Sequence, residues 1–189
     1  MYCDFDSTAW DCPLNKKDLN GPNGKYLHLM QLITENAEET RAIGEALGRA
    51  ARPGDVLWLH GALGAGKTEM TKGVAAGLGS GDPVSSPSFA LIHEYLGGRL
   101  PLYHADLYRL ENAAALDLGL EDYLEDEGVT VVEWGERLPA DFFPDGLDVE
   151  LIALDDDENA RRITLHPRGP AGEAWVNRVK GEGREDFCR

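Results

Sequence analysis

Val56-Leu57-Trp58-Leu59 is a short, strongly apolar run that ends at His60 and leads directly into Gly61-Ala62-Leu63-Gly64-Ala65-Gly66-Lys67-Thr68. From Thr68 through Glu69-Met70-Thr71-Lys72-Gly73-Val74-Ala75-Ala76 the chain reads as a helix, closed by Gly77 and Gly79. Gly61–Thr68 meets G-x-x-x-x-G-K-[ST] at every required position, and it sits between a strand and a helix, where such a loop must sit. Gly61, Gly64 and Gly66 let the backbone curl so that successive N–H groups face phosphate oxygens, with Ala62, Leu63 and Ala65 filling the free positions. The helix start adds its partial positive charge. Lys67 is placed to reach the β- and γ-phosphates, and the Thr68 hydroxyl to coordinate Mg²⁺. The segment is a nucleoside triphosphate loop.

The flanking sequence supplies an α/β frame for it. Leu27, Leu29 and Ile33 within Tyr26–Ile33 suggest an edge strand. Asn36 followed by Glu39 predicts a helix N-cap, and Ile43, Ala46, Leu47, Ala50 and Ala51 recur at helical spacing up to Pro53-Gly54. Beyond the loop, Ser88–Tyr95 and Leu100–Ala105 read as strands joined across Gly97-Gly98, and residues 113–124 as a helix. Val129-Thr130-Val131-Val132 is a further buried strand. Leu147–Leu154 and Arg162–His166 form a second hairpin across Asp155–Asn159, and residues 171–180 a short helix. The expected fold is a single P-loop NTPase domain over 26–180, with a largely parallel central sheet, antiparallel additions and flanking helices. Residues 1–25 lack periodicity and read as a loosely ordered extension, and residues 181–189 as a polar tail.

Composition narrows the function. Apolar residues make up 42% and charged residues 28% of 189, enough for a sizeable core. With 34 acidic against 18 basic residues the formal net charge is −16, which repels phosphate backbones and anionic headgroups. Direct nucleic-acid binding is therefore expected to be slight, and any such contact to run through a small patch or a partner. Apolar runs fall far short of the roughly 20 residues that cross a bilayer, and the acidic N-terminus is no secretory signal. Cys3, Cys12 and Cys188, without a C-x-x-C pair, suit a reducing cytoplasm.

Two carboxylates qualify as partners of the loop. Glu133 directly follows the Val129–Val132 strand and emerges at the sheet edge where α/β ligands bind; Asp106 ends the Leu102–Ala105 run and could reach the same edge. Asn15-Lys16-Lys17-Asp18 matches the guanine-reading N-K-x-D pattern, but it precedes the loop, follows no apolar strand and has no D-x-x-G after it. It reads as coincidence.

Further residues follow the loop in fixed order: Ser86-Pro87-Ser88-Phe89, then Leu102-Tyr103-His104-Ala105-Asp106-Leu107-Tyr108-Arg109-Leu110, then Gly119-Leu120-Glu121-Asp122-Tyr123-Leu124, then Val132-Glu133-Trp134. Over roughly residues 28–166 this order resembles the TsaE (YjeE) family, the small ATPases of bacterial tRNA threonylcarbamoyladenosine biosynthesis. Ala62 and Ser88 stand where that family usually has Asp and Thr. The resemblance implies that Lys67 and Thr68 hold phosphate and Mg²⁺, and that Glu133 is the second metal-side acid. It makes Asp106 a catalytic or water-ordering acid, and Ser86–Ser88 a nucleotide-sensing loop whose Ser88 hydroxyl faces the phosphates. Trp134 then packs at the nucleotide or partner face, or simply in the core. Arg109 neutralises phosphate or is clamped by an aspartate. Of the Arg161-Arg162 pair, Arg162 is the expected nucleotide contact. His60, His93 and His104 read as packing or hydrogen-bonding residues.

The implied function is an ATPase using ATP and Mg²⁺, docked on tRNA threonylcarbamoyl-transferase subunits of the TsaD and TsaB types, in the cytoplasm. A small-molecule P-loop kinase shares the loop and the size, but such kinases need an Arg-rich lid, and no Arg-rich run follows the central helices. A non-hydrolysing nucleotide switch would keep Lys67 and Thr68 and need neither Asp106 nor Glu133.

Overall fold

Leu57 and Leu59 face one side of a sheet and Val56 and Trp58 the other, and all four are buried, which is why this strand is apolar throughout rather than alternating. In the computed structural model, which describes residues 30–110, 119–124, 127–138, 145–154 and 157–186, the strand Val56–His60 lies at the middle of seven. In chain order the elements are β1 (Met30–Thr34), α1 (Ala37–Ala50), β2 (Val56–His60), α2 (Lys67–Gly77), β3 (Ile92–Tyr95) and β4 (Leu102–Asp106). There follow α3 (Leu120–Leu124), β5 (Val129–Glu133), a 3₁₀ turn (Gly135–Arg137), β6 (Gly146–Leu154), β7 (Asp157–Arg168) and α4 (Gly169–Asp186).

The sheet order is β1-β7-β6-β2-β5-β4-β3. Neighbours among β6, β2, β5 and β4 are parallel, whereas β1–β7, β7–β6 and β4–β3 are antiparallel. The sheet is thus mixed rather than largely parallel. Parallel pairing needs a crossover, and tight hairpins turn the chain straight back at β3–β4 and β6–β7. One face carries α1, α2 and α4 over a core that includes Leu47, Leu57, Leu59, Met70, Val131, Ile163 and Trp175. The other face carries a smaller cluster of Val56, Trp58, Ala105, Leu107, Leu120, Val132 and Leu138.

Local chemistry sets the helix starts. The Asn36 side chain accepts from the Glu39 amide at 2.9 Å, while the Glu39 carboxylate accepts from the Glu35 amide at 2.8 Å. α1 and α2 then cross on glycine: a Cβ on Gly44 would stand 2.2 Å from the Met70 carbonyl, and one on Gly73 would stand 2.0 Å from the Arg41 carbonyl.

Three expectations shift. Ser88–Ala90 form a turn rather than strand, and Leu91 has φ 70°, so β3 starts only at Ile92. The last helix begins at Gly169 and runs to Asp186, beyond the 171–180 expected for it and into the segment read as tail. Asp157–Asn159, read as turn, already belong to β7. The Asn15–Asp18 pattern, the extension at 1–25, residues 113–118 of the expected helix and the three cysteines lie outside the described residues.

Candidate functional site

β2 delivers the loop to the sheet's C-terminal edge, and α2 starts where it ends. Gly66 is the residue before α2 and has φ 106°, a conformation that a side chain resists. The loop also lies close against β6: a Cβ on Gly61 would stand 2.4 Å from the Leu151 carbonyl. Lys67 is buried to 5% exposure, and its ammonium donates to the carbonyls of Gly61 at 2.6 Å and Ala62 at 2.9 Å. Ala62 thus contributes through its backbone. The Lys67 Nζ also sits 3.8 Å from the centroid of the Trp134 ring, a cation–π contact. Burial lowers the Lys67 pKa, although Glu133, Glu136 and Asp106 pull it the other way.

The parallel neighbours bring the acids. In register, Asp106 of β4 lies beside Glu133 of β5, and Leu59 of β2 lies on the other side of Glu133. The Thr68 hydroxyl donates to Glu133, 2.9 Å from Oε1 and 3.2 Å from Oε2. Asp106 Oδ2 accepts from the hydroxyls of Ser86 and Ser88, each at 2.6 Å, and Oδ1 accepts from the Tyr108 amide at 3.0 Å. Burial acts to raise the Asp106 pKa, but the two seryl hydroxyls, the Tyr108 amide and nearby His104 outweigh it and hold the carboxylate below its ordinary range.

These groups surround an open cavity of about 310 Å³, lined by Leu63–Glu69, Ser86, Ser88, Asp106, Tyr108, Glu133 and Trp134. Its chemistry suits a phosphate chain with a hard cation: one ammonium, a helix start, and hydroxyl and carboxylate oxygens. Among the described residues no group of three or more His, Cys, Asp or Glu gathers as a self-sufficient metal site.

The candidate residues Gly64, Ala65, Gly66, Lys67, Thr68, Leu63, Ser88, Asp106 and Glu133 therefore converge on one cavity, with Gly61 and Ala62 behind Lys67. Arg162 does not. It is exposed and pairs in register with Ile33 and Ile152, away from the loop. Alternation along β7 turns its neighbour to the loop instead: Arg161 donates to Ala65 O at 3.0 Å and Gly64 O at 3.2 Å, and also to the carbonyls of Glu158 and Ala160. Arg161 thus braces the loop backbone from outside. Arg109 stacks over the exposed Phe89 ring, 4.4 Å from its centroid, and among the described residues it meets no aspartate and does not line the cavity. Trp134 is half-buried at the cavity wall, with the Tyr108 ring centroid 5.1 Å away.

His60, His93 and His104 are all hydrogen-bonded. His93 Nδ1 lies 3.3 Å from the Tyr95 hydroxyl, and His104 Nε2 lies 2.8 Å from Glu133 Oε1. His60 joins two acids, with Nδ1 3.1 Å from Glu136 and Nε2 2.8 Å from Asp148, and Arg168 holds Asp148 through two contacts of 2.8 Å. Burial would depress the His60 pKa, yet the two carboxylates raise it to about 9. No spacing in the sequence announces this group, because its members come from β2, the 3₁₀ turn, β6 and β7.

Residues 34–163 match the family described as threonylcarbamoyl adenosine biosynthesis protein TsaE. This chain belongs to the TsaE family. It is 47% identical over 132 residues to the tRNA threonylcarbamoyladenosine biosynthesis protein TsaE of Bacillus subtilis, covering 70% of this chain and 82% of that one. The TsaE protein of a Nostoc species is 38% identical over 143 residues, covering 74% of this chain and 86% of its own. The crystal structure of YdiB from Bacillus subtilis superposes with a TM-score of 0.70 at 38% identity, over 83% of this chain and 97% of that one. Among the described residues no helix is long and apolar enough to cross a membrane.

Proposed function

We propose that this TsaE-family protein binds ATP with Mg²⁺ and hydrolyses it, as the ATPase of tRNA threonylcarbamoyladenosine (t6A) synthesis, while docked on transferase subunits of the TsaD and TsaB types. The observation that carries this reading is the convergence of Thr68, Glu133 and Asp106 at the mouth of the phosphate loop. The printed function of the relatives supplies the pathway. Nothing around the cavity favours a kinase: among the described residues its lining holds Lys67 as the lone basic side chain and no arginine.

The loop backbone and Lys67 would hold the phosphates, and Thr68 with Glu133 would hold the cation. Bound Mg²⁺ would neutralise charge on the β- and γ-phosphates. Thr68 commits its proton to Glu133, which leaves the hydroxyl lone pairs free for the cation. Lys67 gives up the carbonyls of Gly61 and Ala62 when it turns to phosphate. Asp106 carries three donors, and its lowered pKa makes it a poor proton acceptor. It is better suited to orient the attacking water and to hold the Ser86–Ser88 loop against the cavity.

The test pairs nucleotide affinity with multiple-turnover tRNA modification in the presence of the partner subunits. Lys67→Ala should lose nucleotide binding. Asp106→Ala should keep affinity and lose at least about tenfold in hydrolysis, the pattern of a contact made mostly in the transition state. It should then dock with ATP but fail to sustain repeated rounds. Full repeated modification by an Asp106 variant with no measurable hydrolysis would sink the ATPase-coupled reading.

A further inference from the structure

β4 is buried along its whole length, and at its centre stands a histidine rather than an apolar residue. His104 has no exposed surface, and its Nε2 lies 2.8 Å from Oε1 of Glu133, itself only 3% exposed. A carboxylate can only accept, so the ring is the tautomer with its proton on Nε2. That leaves Nδ1 bare. It is buried and has no hydrogen-bond partner among the described residues.

A bare acceptor in a dry core costs about 1–3 kcal/mol, so an apolar residue would pack here at less expense if packing were all that mattered. The ring is retained for the proton on its other nitrogen. Glu133 Oε1 accordingly takes two donors, His104 Nε2 at 2.8 Å and the Thr68 hydroxyl at 2.9 Å, while among the described residues Oε2 has only the longer Thr68 contact at 3.2 Å. With Oε1 pinned from the β4 side, the carboxylate cannot rotate freely about its terminal bond, and Oε2 is the oxygen left with open lone pairs beside Thr68.

We infer that His104 is a positioning residue for the cation site: by donating to Oε1 it locks the Glu133 carboxylate in the rotation that presents Oε2 and Thr68 together to a divalent cation. The inference rests on reading the cavity as a Mg²⁺-nucleotide site. It goes beyond that reading by assigning the metal affinity partly to a side chain that touches neither metal nor nucleotide. Outer partners of this kind typically change metal affinity by about 10- to 100-fold when removed.

The experiment is a Mg²⁺ titration of ATP affinity, read by calorimetry on the full chain, with a parallel series in EDTA. His104→Leu, which fills similar space without a donor, should raise the Mg²⁺ concentration at half effect by about 10- to 100-fold. Affinity measured in EDTA should stay at the wild-type value. His104→Gln can place an amide N–H near the Nε2 position and should recover most of the loss. In a Glu133→Ala background, His104→Leu should add nothing further, because its effect runs through that carboxylate. Should His104→Leu fail to unfold cooperatively, His104→Phe gives the same donor-free comparison. A wild-type Mg²⁺ titration in the donor-free variant would overturn the inference. So would an equal loss in His104→Gln, or an undiminished loss without Glu133. If the wild-type chain itself binds ATP with no help from Mg²⁺, the reading of the cavity falls, and the two failures are thereby distinguished.

Discussion

A single side chain in this protein is placed by whatever lies beside it in space, and His60 illustrates the consequence for pH. Its imidazole sits between Glu136 and Asp148, and its pKa is raised from 6.5 to about 9. A raised histidine pKa stabilises the fold fully below about 6.5, and that contribution disappears as pH climbs through about 9. The side chain is 24% exposed, so the effect is worth on the order of 3 kcal/mol at full strength. We expect wild type to exceed His60→Gln by about that amount in denaturant unfolding at pH 6.5, with the gap closing by pH 10. A gap that stays constant with pH would show that the histidine acts by shape alone. The same network ties the start of the phosphate loop to the 3₁₀ turn that follows Trp134, whose ring covers Lys67.

Helix α2 carries Lys67 and Thr68, and its position depends on α1. The two helices meet at Gly44 and Gly48 against Gly73 and Gly77, with backbone facing backbone. A methyl group on Gly73 would meet the Arg41 carbonyl at 2.0 Å, a clash that no rotamer relieves. Alanine gains about 1 kcal/mol in helix propensity over glycine. Parting two packed helices should cost more. We expect Gly73→Ala to lower stability by about 3 kcal/mol, at the upper end of overpacking effects. Thermal and denaturant unfolding would check it, and a stabilised variant would show that the crossing has slack. The edge elements behave differently, since among the described residues β1 and β3 each pair with a single strand.

For the molecule as a whole, the last helix closes the structure onto elements formed much earlier in the chain. Trp175 of α4 is fully buried and donates to the Leu47 carbonyl of α1 at 3.1 Å. Arg178 donates to the Ala50 carbonyl at 2.8 Å and pairs with Asp55. α4 also packs on the neighbouring strands β6 and β7, so it joins that side of the sheet to the helical layer. Removing the ring should cost about 4 kcal/mol. We expect Trp175→Ala to shift the denaturant midpoint strongly while ATP affinity of the folded fraction stays near wild type, because among the described residues α4 supplies no lining to the cavity. An affinity loss in fully folded Trp175→Ala would show that this core is coupled to the site.

The phosphate loop, β2 and α2 were legible because their physics is local. Glycine spacing sets the curl of a backbone, and an apolar run followed by helical spacing sets what flanks it. The N-cap at Asn36 and both hairpins were legible for the same reason, and so was the meeting of Thr68 with Glu133, which needs only that the loop leading to Thr68 and Glu133 itself both emerge at the same edge from neighbouring buried strands. Register and facing, by contrast, are settled by packing. A shift of one residue along β7 exchanges Arg161 for Arg162, since successive side chains point to opposite faces, and composition carries no information on which of two adjacent arginines turns inward. The glycine crossing, the acid pair on His60 and the proton that His104 directs at Glu133 all join residues far apart in the chain. Their partners are set by the sheet order, which only the folded core decides.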